Sequence, residues 1–192
     1  MARLALALAA ATVLCILFVD QPVAHWVATH DVHANVWKAV LHGFEFFVGI
    51  EPWPYLGAAV LTAGVIATQL RWKQVARPWL FVAATHLVAR NVMMWSKFAF
   101  GRLRPHQWHG GPTFFHGGGS FPSGHVMIFA SLIIPIVVVF PRARPLLLIV
   151  GYTMIARVML QAHFVSDVVG ALAATLAITW AFRRWLLRDS SR

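Results

Sequence analysis

The 192-residue sequence holds one cysteine, six acidic residues and little charge of any kind, since Asp, Glu, Lys and Arg together make up 11%. With Cys15 alone, no intrachain disulfide can form, and cysteine usage says nothing about redox compartment. A soluble domain carries about a quarter charged residues. A chain this poor in charge, and 59% hydrophobic, takes the bilayer as its solvent. Scarce carboxylates also argue against a site built on Mg²⁺, which usually takes one or two of them as ligands. No internal repeat or break in composition divides the chain, so residues 1–192 are read as a single domain.

Apolar length is what the sequence has in plenty. Apolar runs cover 4–19, 54–70, 78–95, 124–140, 146–162 and 167–182. Each approaches the roughly 20 helical residues that cross about 30 Å of hydrocarbon, with flanking residues sharing the crossing in the shorter ones. The expected fold is all-α, a six-transmembrane-helix bundle. The first run could be a cleaved signal sequence, but no good small-residue cleavage site follows it, and a retained span is the reading adopted. Between the first two spans, Trp26, Val27, Val36, Trp37, Val40, Leu41, Phe44 and Phe47 recur near helical spacing. They predict an interfacial helix within residues 20–53.

Positive charge is the other surplus: 16 Lys and Arg give a net charge of +10. On a soluble chain this would suggest nucleic acid. In a membrane chain it marks cytoplasmic loops, so no nucleic-acid partner is expected. Arg3, then Arg71, Lys73 and Arg77, then Arg142 and Arg144, then Arg183, Arg184, Arg188 and Arg192 all fall on one side of six alternating spans. That side is the cytoplasm, with both termini on it. Asp20, Asp31, Glu45, Glu51 and Asp167 fall at or near the opposite side, and Asp189 falls inside. Trp72, Trp79, Trp180 and Trp185 near the inner ends, and Trp53, Trp95 and Trp108 near the outer ones, form aromatic belts. The expected location is the cytoplasmic membrane, with the outer loops facing the periplasm or cell exterior.

Against this topology the basic residues of the outer face stand out. Lys97, Arg102 and Arg104 follow the third span, and Arg157 closes the fifth just before His163 and Asp167. Charge at membrane depth is costly unless it faces protein or water, and so marks candidate functional residues. Between the third and fourth spans lies Gly117-Gly118-Gly119-Ser120-Phe121-Pro122-Ser123-Gly124-His125. Its glycines would let backbone N–H groups approach an anion, although a glycine run is also an ordinary flexible linker, and Pro122-Ser123-Gly124 can open a helix whose free N–H groups bind phosphate. His163 and Asp167, four apart, share a helix face, where a carboxylate can fix the imidazole tautomer. Arg90 lies deeper on the face of Lys97, with His86 four residues before it, and is read as a structural partner inside the bundle, with a role in positioning the cations as the alternative. His106, His109 and His116 lack ordered ligand spacing and are read as loop composition.

Three segments together resemble the type 2 phosphatidic acid phosphatase (PAP2) superfamily, whose signature is K-x6-RP, PSGH and SR-x5-H-x3-D. Here the segments are Lys97 to Arg104-Pro105, then Pro122-Ser123-Gly124-His125, then Arg157 to His163 and Asp167. The resemblance implies that His163 attacks phosphorus, that Asp167 orients it and supports its charge, and that His125 protonates the leaving oxygen and then activates water. It implies that Lys97, Arg104, Arg157, Ser123 and Gly124 hold the phosphate oxygens, with no metal or other cofactor. Arg102 is outside the signature and is read as a rim charge. One position departs: Ala156 stands where the family usually has serine. The implied activity is hydrolysis of a lipid phosphate or diphosphate in the bilayer. A lipid phosphotransferase of the same superfamily, or a membrane transporter, are the alternatives. The vanadium haloperoxidases are similar in the same motifs but are soluble and larger.

Overall fold

The computed structural model describes residues 1–30 and 76–187, with single helical positions at 36, 39, 40, 63 and 67. The described residues contain no strand. The expected second span, most of the interfacial helix, and residues Asp31, Glu45, Glu51, Trp53, Arg71, Trp72, Lys73, Arg188, Asp189 and Arg192 lie outside them.

Helices α1 (Ala2–Leu14) and α2 (Asp20–Thr29) are joined by a wide π turn, Cys15–Val19, into one continuous rod. The sequence reading ended the first span at residue 19 and opened an interfacial segment at 20. The structure instead carries the first helix through to Thr29. No glycine breaks residues 2–29, and Pro22 lies in the first turn of α2, directly after the π turn. The buried residues of the rod are Ala5, Thr12, Asp20 and Val27. Their spacings are 12 − 5 = 7, 20 − 12 = 8 and 27 − 20 = 7, and the π turn falls within the step of eight. Along a regular helix that step would swing Asp20 about 80° off the buried line, because each residue turns about 100°. The wide turn absorbs the additional residue and keeps Asp20 facing the bundle.

The remaining helices are α3 (Ala76–Phe100), α4 (Gly124–Val139), α5 (Leu147–Met159) and α6 (Val165–Leu186). They match the third to sixth apolar runs, with α3 and α6 extended by several residues. The rod of α1 and α2 and helix α6 are long and apolar enough to cross a membrane. Helix α4 packs on α3, α5 and α6, while α6 packs in turn on α3 and α5 and has α1 lying along it. Phe129, Ala130, Ile133 and Ile134 of α4 meet Ala5, Val150 and Leu176. One turn nearer the other end, Val126 and Met127 meet Ala89, Met93, Val168 and Ala171. Five buried threonine hydroxyls are satisfied within their own helices: Thr12, Thr85, Thr153, Thr175 and Thr179 each donate to the carbonyl four residues earlier. A helix that meets its own polar needs can sit in an apolar surround. His86 bonds the Ser131 hydroxyl at 2.9 Å, joining α3 to α4.

The helix ends sort into two groups. Met1 touches Arg183, Trp79 packs on Phe140, and Arg142 and Arg144 lie in the short Pro141–Leu146 helix beside them. The basic residues expected at the cytoplasm are thus gathered at one end of the bundle as far as they are described. At the opposite end α3 and α5 finish, and α4 and α6 begin.

Candidate active site

Four helix ends carry the signature. Lys97 is in the last turn of α3, His125 in the first turn of α4, Arg157 in the last turn of α5 and Asp167 in the first turn of α6. Arg104 opens the short helix Pro105–Gln107, and His163 sits in the turn between α5 and α6. Each of the eight expected site residues is linked to another. A β-carbon at Gly124 would lie 3.2 Å from Lys97 Nζ, so the ammonium sits close against the start of α4 and a side chain there would press on it. Arg104 and Arg157 act on Lys97 as like charges. A terminal nitrogen of Arg157 contacts the His125 ring. The Ser123 amide donates to the Asp167 carbonyl at 3.1 Å, tying the start of α4 to the start of α6. Ser123 Oγ is fully buried and has no hydrogen-bond partner among the described residues.

His163 is held in one tautomer. Its Nδ1 lies 2.8 Å from the carbonyl oxygen of Ser120, which can only accept. Nδ1 therefore carries the proton, and Nε2 presents its lone pair. Asp167 Oδ2 is farther from Nδ1, at 3.6 Å, close enough to support positive charge on the ring. Ser120 is thus the nearer partner of Nδ1, and its hydroxyl donates to Asp167 at 2.5 Å. Burial holds the His163 imidazole below its ordinary pKa, as do Arg157 and Lys97, while Asp167 opposes them. A neutral ring near neutral pH is what a nitrogen nucleophile requires. The turn that presents it is closed by the Arg157 carbonyl, which accepts from the amides of Ala162 and His163.

Arg102 corrects the sequence reading most. Taken there as a rim charge, it is 1% exposed and lies at the centre of a polar network. It donates to Asp167 Oδ1 at 2.6 Å, to Asp20 Oδ2 at 2.7 Å, to Ser166 Oγ at 2.6 Å and to Thr113 Oγ1 at 3.1 Å. Phe114 and Phe164 close over the guanidinium, with ring centroids 4.5 and 4.3 Å away. A buried cation is stable only when paired and fully hydrogen-bonded, and Arg102 meets both conditions. Asp20 also accepts from the Ser166 amide and hydroxyl.

Two amides of the glycine run are used for packing. The amide of Gly118 bonds the Gly101 carbonyl and that of Ser120 bonds the Arg102 carbonyl, so these groups hold the loop together and are not offered to an anion. A β-carbon at Gly118 would fall 2.2 Å from the Arg102 carbonyl oxygen. The glycine is there for close backbone approach. Ala156, the departure from the signature, is fully buried in α5. His106 bonds the Gln161 carbonyl through Nδ1, a link between loops.

Over residues 76–190, more than half of the chain, the sequence matches the profile of the PAP2 superfamily. The fold is similar to that of a solved structure described as the first transmembrane PAP2-type phosphatidylglycerolphosphate phosphatase, from Bacillus subtilis. The TM-score is 0.56 at 17% sequence identity, covering 97% of this chain and 98% of that one. No curated protein matches the sequence. Signature, helix-end geometry and profile agree, and the chain belongs to the PAP2 superfamily.

Proposed function

We propose that this chain is a multi-pass membrane phosphatase that hydrolyses the phosphate ester or diphosphate of a lipid through a phosphohistidine. The observation that carries the reading is the gathering of Lys97, Arg104 and Arg157 around the N-terminus of α4, beside a tautomer-fixed His163. Three mutually repelling cations at a helix N-terminus suit a doubly charged anion, and phosphoryl transfer is catalysed chiefly by such positioning and charge. His163 Nε2 attacks phosphorus as His125 protonates the departing oxygen. His125 then takes a proton from water, whose oxygen displaces the histidine and releases inorganic phosphate. Lys97, Arg104, Arg157, Ser123 Oγ and the Gly124 amide hold the equatorial oxygens. Asp167 supports the charge that develops on His163.

The test is phosphate release by the purified chain from polyprenyl diphosphate, phosphatidylglycerol phosphate and phosphatidic acid. At least one is hydrolysed, at full rate in excess EDTA, because the cations already neutralise the phosphate and would repel a divalent ion. Vanadate inhibits by adopting the five-coordinate geometry at His163. Transfer to a second lipid without phosphate release would identify a phosphotransferase instead, and no turnover of any of the three would defeat the reading.

The proposed topology has six spans, an interfacial helix between the first two, both termini in the cytoplasm and the site on the outer face. On a Cys15→Ala background, Ala143→Cys is labelled only by reagents that reach the cytoplasm. His109→Cys is labelled from outside. The reverse pattern would put the site on the inner face.

A further inference from the structure

We propose that Asp20, in the N-terminal rod, is a positioning residue for the reaction, acting through Arg102 on Asp167 and so on His163. The inference rests on the phosphatase reading and adds a member that the signature lacks. Asp20 lies outside residues 76–190, the stretch that matches the superfamily profile.

Geometry makes the case. The Arg102 guanidinium bridges two carboxylates, with one terminal nitrogen on Asp167 and the other on Asp20. Ser166 repeats the bridge, donating its hydroxyl and its amide to Asp20 while accepting from Arg102. Asp20, Arg102, Ser166 and Asp167 are each at most 2% exposed, so water does not screen the coupling. Asp167 alone would be neutralised by Arg102. With Asp20 present, the trio keeps one net negative charge beside His163. That charge favours the imidazolium-like nitrogen that forms when His163 bonds phosphorus. It also frees Asp167 from serving as the sole counter-ion of Arg102. The bridge fixes the Asp167 carboxylate from one side, while Ser120 Oγ and the Phe164 amide fix it from the other. Among the described residues, the charged and titratable groups on the elements that meet at His163 are Lys97 of α3, Arg102 and Arg104 of the following loop, His125 of α4, Arg157 of α5, Asp167 of α6 and Asp20 of α2. Asp20 and Asp167 are the acidic ones among these described groups.

The sign of the effect distinguishes positioning from bulk stability. Asp20→Asn keeps the shape and removes one negative charge. His163 then titrates at lower pH, and its phosphorylated form is less well supported. The decisive measurement is the imidazole titration of His163 by NMR on the histidine-labelled full chain, together with kcat and KM on the lipid hydrolysed fastest. For Asp20→Asn the expected titration falls by about half a pH unit or more, and kcat by about tenfold with KM within about twofold. Asp20→Glu, which keeps the charge, returns the titration to its native position. Asp20→Asn/Arg102→Gln removes the two charges together and covers the case in which the single substitution does not fold. It is expected to titrate close to the native chain. An unchanged titration and kcat in a folded Asp20→Asn chain would overturn the proposal, as would a displaced titration in the double variant. A native chain that releases no phosphate from any of the three lipids defeats the phosphatase reading instead, and the NMR titration still decides whether Asp20 is coupled to His163.

Discussion

Replacing His163 by alanine is expected to lower phosphate release by about 10⁴-fold or more and to remove any acid-labile phosphoenzyme. The alanine chain still folds, because His163 contributes one hydrogen bond through Nδ1 and the Asp167 carboxylate keeps its partners Arg102, Ser120 and the Phe164 amide. His125→Ala behaves differently. Its proposed role is to give a proton to the leaving oxygen, so a substrate whose leaving group needs none should still phosphorylate the chain. The intermediate should then accumulate, because the same residue activates water in the second step. Trapping of radioactive phosphate on acid-quenched protein separates the variants. Label on the His163→Ala chain, or its native turnover, would remove the nucleophile from this assignment.

The second large effect is on folding. Gly118→Ala puts a methyl group 2.2 Å from the Arg102 carbonyl oxygen, 2.6 Å from its carbon and 2.8 Å from Leu103 N. All three are backbone atoms, so no side chain can swing away. The backbone of residues 101–103 must move, and with it the guanidinium that joins Asp20 to Asp167. Overpacking costs about 1–3 kcal/mol where side chains can adjust, and a backbone obstruction belongs at or beyond the top of that range. Thermal unfolding in detergent should fall steeply, or folded protein should be lost. Gly119→Ala is the control, since nothing lies within 4 Å of a β-carbon there. Equal melting of the two variants would show that the loop is not packed as described.

The residues proposed to carry the chemistry were legible because each announces itself locally. Lysine and arginine at the end of an apolar run, proline and serine before a helix, and histidine four residues before aspartate are short-range patterns. Helices α3 to α6 were legible for the same reason, from apolar runs bounded by proline and charge. Arg102 was not, since its main counter-ions lie 82 residues earlier and 65 residues later, and a sequence cannot show which distant carboxylate folds against a cation. Asp20 could have been suspected, because it sits directly on an apolar run where an unpaired carboxylate would be costly. Ser120 carried no signal. A serine beside three glycines reads as linker, and its carbonyl, which fixes the His163 tautomer, belongs to every residue type. The glycines of 117–119 read equally as an anion cradle or a linker, because a crowded backbone and an open one use the same residue.

The wide turn at Cys15–Val19 bears on how the N-terminal rod can change its length. The buried line Ala5, Thr12, Asp20, Val27 holds one residue more than a regular helix would need. Losing a residue between 15 and 19 would straighten that turn and leave the carboxylate beside Arg102, one position shorter but in phase. Losing a residue between Asp20 and Val27 has no such reserve, and would rotate the far end of the rod by about 100°. Deletions within the rod are therefore tolerated unequally, and the π turn marks where homologous chains can differ in length while the carboxylate keeps its bearing.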